Sequence, residues 1–151
     1  MKFSRAFTII ELVFVIVVLG ILASIALPKF ASTREMADLA KGRADVATIR
    51  AAIVNERSEQ VIKGINTYIP KLSKDAASTT LFRGENDGAA NSRTLLLYGL
   101  KAGTGSGDWA IVNDTRYTFR VGNTDTTFTY APANGEFTCT AGTGDCNALV
   151  D

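Results

Sequence analysis

"RAFTIIELVFVIVVLGILASIALP", residues 5–28, decides the fold class of this 151-residue chain. The run from Phe7 to Leu27 is apolar except at four positions: Thr8, Glu11, Gly20 and Ser24. As a helix it spans about 31 Å at 1.5 Å per residue, close to the thickness of the hydrocarbon core of a bilayer. We therefore predict a transmembrane helix over residues 7–28.

The flanks of the apolar run predict its orientation. Lys2 and Arg5 precede it with no acid beside them, so the positive-inside tendency keeps the N-terminus cytoplasmic and places the chain after Pro28 outside. Two other interpretations stay open. One is a secretory signal peptide, for which Ala23 to Ala26 offer small residues near a cleavage site; the other is a plain single-pass anchor.

Glu11 is the residue that neither alternative explains. An acid in a membrane helix costs about 2.5–3.5 kcal/mol at the bilayer centre and less near an end. No Lys or Arg occurs between Arg5 and Lys29. Either the carboxylate reaches back toward Arg5, or the chain is cut before Phe7 and the new α-amino group of one copy pairs with Glu11 of a neighbouring copy.

The stretch "RAFTIIELVFVIVVLGILASIALPKF", residues 5–30, resembles the N-terminus of class III-signal prepilins, the type IV pilins and the type II secretion pseudopilins. The resemblance implies that residues 1–6 are a leader, which a prepilin peptidase removes by cutting between Ala6 and Phe7. It implies methylation of the new N-terminal Phe7, and pairing of Glu11 with the Phe7 amine of a neighbour during assembly. Ala6 stands where this family usually has Gly.

Pro28 is expected to disturb the helix. It has no amide hydrogen, so the carbonyl of Ser24 loses its helical partner, and a kink or break is predicted between Gly20 and Pro28. The resemblance implies that the same pair weakens the helix in related filaments. Beyond it, residues 29–63 keep a helical period and are predicted to form an amphipathic helix that ends near Gly64.

The predicted buried stripe of this second helix consists of seven residues: Ala37, Ala40, Ala44, Val46, Ile49, Ala52 and Ile53. On the opposite, solvated face, Arg34 with Asp38 and Lys41 with Asp45 are predicted i,i+4 ion pairs. The helix would thus carry one apolar face for a sheet to cover.

Two regions follow the helix. Residues 64–108 are rich in Gly, Ser, Thr, Asn and Asp, with one short apolar patch, "TLLLYGL", at residues 94–100, and are predicted to be a long connection with one short helix or strand. The resemblance implies that this connecting region is variable. Residues 109–151 alternate between apolar and polar side chains, which predicts an antiparallel β-meander. Its turns are expected at three pairs: Asn113-Asp114, Gly122-Asn123 and Asn134-Gly135. Its inner face is expected to bury Trp109, Tyr117, Phe119 and Phe128 against the helix stripe.

Cys139 and Cys146 enclose the short segment "TAGTGD". If this part of the chain lies outside the membrane, a disulfide is favoured there. A redox or metal-binding role for the two thiols is the alternative, although no further ligand in the sequence supports it.

Several function classes find little support. The chain has no histidine and a formal net charge of +1, so His-based catalysis and bulk nucleic-acid binding are not indicated. "GENDGAAN" and "GTGSGD" gather oxygen atoms that could bind calcium, but their spacing does not fit an EF-hand. We expect no catalytic residues, no metal and no cofactor.

The sequence therefore predicts an α+β, pilin-like protein with a long N-terminal helix packed on a small antiparallel sheet. The resemblance implies a subunit of the bacterial inner membrane that polymerises into a filament with other pilin-like subunits. Its implied partners are a prepilin peptidase, an inner-membrane platform protein and an assembly ATPase. A type II secretion-like pseudopilin is preferred; a type IV pilus subunit for adhesion, motility or DNA uptake, and a membrane-anchored periplasmic binding module, are the alternatives.

Overall fold

The structure, a computed structural model, describes residues 7–75, 77–85 and 92–150. Its elements are α1 (Ile9–Ile62), β1 (Thr80–Leu81), β2 (Leu100–Lys101), β3 (Trp109–Asn113), β4 (Arg116–Val121), β5 (Thr124–Ala131), β6 (Glu136–Cys139) and α2 (Cys146–Val150). The chain forms two compact units, one ending at Met36 and one beginning at Ala37. We call the second unit the head. The predicted α+β, pilin-like fold class is confirmed.

The main sheet of the head is an antiparallel meander in the order β3-β4-β5-β6. All three predicted turns connect its strands. In the first turn, Asn113 Oδ1 accepts hydrogen bonds from the N–H groups of Thr115, at 3.0 Å, and Arg116, at 2.8 Å. In the last, Gly135 has a φ of +75°, and a Cβ atom there would lie 2.3 Å from the Tyr68 ring. Glycine therefore suits this turn both by conformation and by space.

One face of this sheet packs against α1 within the head. The predicted inward residues Trp109, Tyr117, Phe119 and Phe128 are each at most 1% exposed, and they join one core with Val46, Ile49 and Ile53. Tyr130 and Phe137 complete the same inner face because they continue the period-two alternation of β5 and β6. The opposite face carries threonines, of which Thr127 and Thr129 are exposed.

The upstream extension of the buried helix stripe was wrong. Ala37, Ala40 and Ala44 are exposed. At 3.6 residues per turn, the positions one and two turns before Val46 are Gly42 and Leu39, and these two pack on the core side instead. The alanines lie about half a turn away from that row.

Three of the four charged residues of α1 expected on a solvated face bind other parts of the head instead. Three contacts show this: Asp38 accepts a hydrogen bond from Ser106 Oγ, Lys41 Nζ donates to the Gly107 carbonyl, and Asp45 accepts from Trp109 Nε1 at 3.0 Å. The ion pairs found among the described residues do not include Arg34 with Asp38 or Lys41 with Asp45, so that prediction was wrong. For Asp38, Lys41 and Asp45, a partner from elsewhere in the head replaces the expected one.

Arg43, Arg50 and Arg57 lie seven residues apart on α1, and we call them the arginine row. Each donates to a backbone carbonyl of the head: Arg43 to Ala148, Arg50 to Phe137 at 3.0 Å, and Arg57 to Ile65 at 3.0 Å. The row thereby attaches α2, β6 and the chain just after α1 to one side of the helix.

The connection between α1 and β3 contributes more to the core than its composition suggested. The helix ends as predicted, with Gly64 at a φ of +80° and the Ile65 N–H bonded to the Gln60 carbonyl at 2.9 Å. Four apolar residues of the connection are then fully buried: Ile69, Leu72, Leu81 and Phe82. In "TLLLYGL" only Leu100 enters a strand, the two-residue β2, which pairs with β1.

The C-terminal end of the head is closed by the predicted disulfide between Cys139 and Cys146, with a Cα–Cα distance of 5.8 Å. The disulfide prediction is confirmed. The disulfide joins the end of β6 to the first residue of α2, a short helix that we did not predict from the sequence. Leu149 of α2 is buried on the core, so the C-terminus covers one end of the head.

Candidate functional site

The N-terminal apolar segment begins with a helix cap. Thr8 Oγ1 accepts a hydrogen bond from the Glu11 N–H at 3.3 Å, and the Thr8 carbonyl accepts one from the Leu12 N–H at 3.2 Å. Thr8 is therefore the N-cap residue of α1 and Glu11 is its third helical residue, the Thr-x-x-Glu spacing of a capping box. An acid in the first turn also interacts favourably with the helix dipole.

This cap was readable in the sequence as the Thr-x-x-Glu pattern before an apolar run, and our sequence analysis missed it. A cap of this kind would offset part of the cost of placing the carboxylate in a membrane. It supplies no positive charge, however, so the pairing of Glu11 with a cationic partner stays a prediction. The proposed interaction of Glu11 with Arg5 lies outside the described residues.

The apolar segment is uncovered along its length. Within residues 9–27 nearly every large side chain is exposed, from Ile9 at 83% to Leu27 at 70%. The segment is long and apolar enough to cross a membrane. Glu11 is its only charged residue. Removal of this surface from water would therefore bury an almost uninterrupted apolar helix together with one carboxylate.

The predicted processing and hinge residues are placed only in part. Ala6 lies outside the described residues, while Phe7 is exposed. The backbone of α1 continues through Gly20 and Pro28 as helix, so the structure contains no break at the predicted position. A Cβ atom at Gly20 would meet no other group within 4 Å. A weakening of this segment in a filament stays a prediction.

Polar atoms of the glycine-rich loop at 103–108 are engaged in hydrogen bonds within the loop and with α1. Asp108 Oδ2 accepts a hydrogen bond from the Gly105 N–H at 3.1 Å, Asp38 accepts one from Ser106, and the Lys41 ammonium lies on the Gly107 carbonyl. Among the described residues no three acidic or cysteine side chains are grouped as metal ligands. Most of "GENDGAAN", the other calcium candidate, lies outside the described residues.

Burial raises the pKa of three groups in the head: Asp45, Tyr117 and Tyr130. Desolvation raises the pKa of Asp45, opposed by its hydrogen bond from Trp109 and by the nearby Lys41. Burial also raises the pKa of Tyr130 to about 12, and its hydroxyl donates to the Ile69 carbonyl at 2.8 Å. Asp45 and Tyr130 thus join separate parts of the head through these hydrogen bonds.

Comparison with known proteins agrees with the N-terminal site. A family model described as the prokaryotic N-terminal methylation motif matches residues 1–27. The type II secretion system core protein G of Pectobacterium carotovorum subsp. carotovorum is 32% identical over 73 residues, 45% of this chain and 47% of that protein. The type IV narrow pilus major component PilA5 of Thermus thermophilus is 43% identical over 49 residues, 32% of this chain and 42% of that protein.

The chain thus spans less than half the length of the curated relatives it matches. No solved structure matches it significantly. The resemblance inferred from residues 5–30 is confirmed by the family model and by both relatives.

Proposed function

We propose that this chain, which carries the prokaryotic N-terminal methylation motif and resembles type IV pilins and type II secretion pseudopilins, is a structural subunit of a type IV filament system. The observation that carries the proposal is the uncovered apolar helix with a single carboxylate in its first turn. Such a helix is stable in lipid or among copies of itself, and less so in water.

In this proposal a prepilin peptidase removes residues 1–6 and methylates Phe7. The new N-terminal amine remains cationic and lies one helical turn from Glu11. Both charges then sit at the same end of every helix, so helices packed side by side with a small axial offset can pair the Glu11 carboxylate of one copy with the Phe7 amine of the next. Pairing matters because an isolated buried carboxylate is strongly disfavoured.

The proposed membrane topology places the N-terminus in the cytoplasm and the head outside the bacterial inner membrane. The proposed partners are other pilin-like subunits, the prepilin peptidase, a platform protein and an assembly ATPase. The subunit works mechanically: polymerisation moves the apolar helix from lipid into a helical bundle, and growth of the bundle displaces the heads. No catalytic step is assigned to the chain.

A type II secretion-like pseudopilin is the preferred role, since the similarity to the secretion protein extends over 73 residues. A type IV pilus subunit is the second candidate. It is favoured by the higher identity to a pilus component and by the C-terminal disulfide. Extended surface fibres that depend on this chain would support the pilus role, whereas loss of protein secretion without loss of fibres would support the pseudopilin.

Mass analysis of the N-terminus tests processing directly. The protein isolated from membranes of its native host is expected to begin at a methylated Phe7, and to begin at Met1 when the host's prepilin peptidase is deleted. A start at Met1 in the unmodified host would contradict the proposal, and so would cleavage after the Ala23 to Ala26 segment.

Substitution of Glu11 tests assembly. Glu11→Gln is expected to reach the membrane but to lose polymerisation, measured as the yield of sheared or cross-linked polymer. Glu35→Gln, which changes an exposed acid later in α1, is the matched control and is expected to assemble normally. A membrane-anchored binding module would be indifferent to both changes.

A further inference from the structure

A small cavity on the head is lined by cationic and hydroxyl-bearing residues. It has a volume of about 180 Å³, and its described lining residues are Lys74, Ser78, Thr79, Thr80, Arg83 and Gly84. We call it the cationic cavity. None of these lining residues is acidic, and the acids adjacent to them in the sequence, Asp75 and Glu85, are not among them.

The backbone beside the cationic cavity is strained and firmly held. Phe82 has a φ of +60°, which a bulky residue rarely adopts, and no other non-glycine residue in the described part of the chain has a positive φ. Its N–H donates to Ser73 Oγ at 2.9 Å, and its carbonyl accepts from the Leu96 N–H at 3.0 Å. Two residues later, the Gly84 N–H donates to the Leu72 carbonyl at 2.8 Å. Strained segments held in this way are concentrated at ligand-binding sites.

This conformation places Arg83 on the wall of the cavity. Leu81 and Phe82 are adjacent yet both fully buried, which the alternation of a regular strand would not allow. The next side chain, that of Arg83, is exposed. A Cβ atom at Gly99 would lie 2.6 Å from Arg83 Cγ and 2.7 Å from Thr80 Cγ2. Arg83 and Thr80 therefore lie close together over a glycine that leaves room for both.

A turn supplies another part of the wall, and its acid is already bonded. Asp75 Oδ1 accepts hydrogen bonds from the Ala77 N–H at 3.0 Å and from Ser78 Oγ at 3.2 Å. The Ser78 N–H also donates to the Asp75 carbonyl at 3.2 Å. The carboxylate is thus engaged within the turn, and the hydroxyl-bearing residues Thr79 and Thr80 follow directly.

Three cationic residues surround these hydroxyl groups. Lys74 and Arg83 line the cavity. Lys101 is the partner of Thr80 in the antiparallel pair of β1 and β2, so the two side chains project from the same side of that pair. The ion pairs found within residues 7–75, 77–85 and 92–150 include none of the three. The positive charge of the cavity is therefore not neutralised by those residues.

We propose that the cationic cavity binds a phosphate group, carried by a small soluble phosphate ester or by a lipid headgroup. A guanidinium presents a planar fork of N–H donors, an ammonium presents three more, and hydroxyl groups add neutral donors. This is the donor set that recognises phosphate oxygens. Cavities for drug-sized ligands measure about 300–1,000 Å³, so the smaller cationic cavity matches a single anionic group. The inference is independent of the proposed function, because binding requires a folded head and no polymer.

Phosphate titration of the full-length chain in detergent tests the inference. At constant ionic strength, inorganic phosphate is expected to shift the amide NMR signals of Thr79, Thr80 and Gly84. It should also raise the midpoint of thermal unfolding, because a ligand that binds only the folded head stabilises it. Equal responses to phosphate and to chloride would overturn the inference, and so would signal changes confined to other parts of the head.

Substitutions of the lining cations provide a second readout. Arg83→Gln should weaken phosphate binding by about tenfold or more, since it removes charge-assisted hydrogen bonds. Arg83→Lys keeps the charge but loses the fork, so it should weaken binding less. Lys74→Gln is an independent variant with the same expected direction. Thermal unfolding without phosphate should be unchanged in all three, because both side chains are exposed.

The matched control is Arg116→Gln, which changes an exposed arginine at the start of β4 and should bind phosphate normally. Unchanged affinity in both Arg83→Gln and Lys74→Gln would overturn the inference. An equal loss of affinity in Arg116→Gln would also overturn it, since the attraction would then depend on net charge and not on the cavity.

Two further probes distinguish the sources of the phosphate group. Glycerol phosphate represents a soluble ester, and short-chain phosphatidic acid added to the micelles represents a lipid headgroup. Binding of glycerol phosphate that depends on Arg83 would support a soluble ligand, and such binding of phosphatidic acid alone would support a lipid. Binding of neither probe would overturn the inference and leave the proposed function intact, and so would binding of duplex DNA alone.

Discussion

Arg93 binds both carboxylate oxygens of Glu56, with Nε 2.6 Å from Oε1 and Nη2 2.7 Å from Oε2. The same guanidinium donates to the Tyr68 carbonyl at 2.8 Å and to the Thr67 carbonyl at 2.9 Å. The Arg93 and Glu56 side chains are only 10% and 2% exposed. One arginine thus joins the C-terminal end of α1 to two separate parts of the connection before β3.

Removal of Arg93 should therefore destabilise the head strongly. Arg93→Met would leave the Glu56 carboxylate buried without its partner, and we expect a loss of about 3–5 kcal/mol in the free energy of unfolding. Urea unfolding of the full chain in detergent, followed by Trp109 fluorescence, measures it. The double variant Arg93→Met with Glu56→Leu should lose clearly less than the single variant, since it leaves no unpaired charge.

The matched control for that experiment is the exposed i,i+4 pair between Lys63 and Glu59. Lys63→Ala should cost less than about 1 kcal/mol, because an exposed pair contributes little. Equal losses for Lys63→Ala and Arg93→Met would contradict the assignment of the Arg93 contact as a buried anchor.

At Gly42, side chains of β4 and α2 approach the backbone of α1 closely. A Cβ atom there would lie 2.5 Å from both Phe119 Cε1 and Leu149 Cδ2. Gly42→Ala should therefore lower the free energy of unfolding by about 1–3 kcal/mol despite its better helix propensity. Gly20→Ala, with no neighbour within 4 Å, is the control and should not change unfolding of the head. An unchanged or raised midpoint for Gly42→Ala would show that α2 can shift without cost.

Asp45 should make stability depend on pH. Its pKa in the folded head is raised above the ordinary 3.8, mainly by desolvation, so the folded state holds the proton more tightly than the unfolded state. Stability contributed by this group is thus present below pH 3.8 and is lost as the pH rises through the folded pKa. Asp45→Asn keeps an acceptor for Trp109 Nε1 and should not show this loss.

The measurement is the difference in unfolding free energy between Asp45→Asn and the unsubstituted chain from pH 3 to pH 7. As the pH rises, Asp45→Asn should become more stable relative to the unsubstituted chain. Asp45→Ala is the comparison: it leaves the indole N–H without its partner and should cost about 1–3 kcal/mol. A difference that stays constant over the whole range would rule out a raised pKa for Asp45.

The disulfide should stabilise the C-terminal end of the head. Replacement of Cys139 and Cys146 by Ser should lower the free energy of unfolding by about 2–3 kcal/mol, the value expected for closing so short a loop. Freed α2 should expose Phe119, detectable as increased binding of a hydrophobic dye. An unchanged unfolding midpoint after reduction would show that Leu149 and the Arg43 contact hold α2 without the covalent link.

Local patterns in the sequence were sufficient to predict the apolar helix, the meander with its three turns, and the disulfide between the two cysteines. Each depends on periodicity or on neighbours a few residues apart, such as Asn134-Gly135 or the alternation of Tyr117 and Phe119. The cap formed by Thr8 and Glu11 is also local, so the same reasoning could have found it.

The tertiary structure alone decided which charged residues of α1 are solvated. Lys41 and Asp45 stand at ion-pair spacing, yet their partners are Gly107, in the loop before β3, and Trp109, the first residue of β3, both more than sixty residues away. The tertiary structure also decided that Ala37, Ala40 and Ala44 are exposed and that Gly42 is buried. Two sides of this helix are rich in small or apolar residues. The direction from which the sheet packs determines which of them is buried. The period of the sequence predicts that one face of a helix is buried. Contacts with residues distant in the sequence determine which face it is.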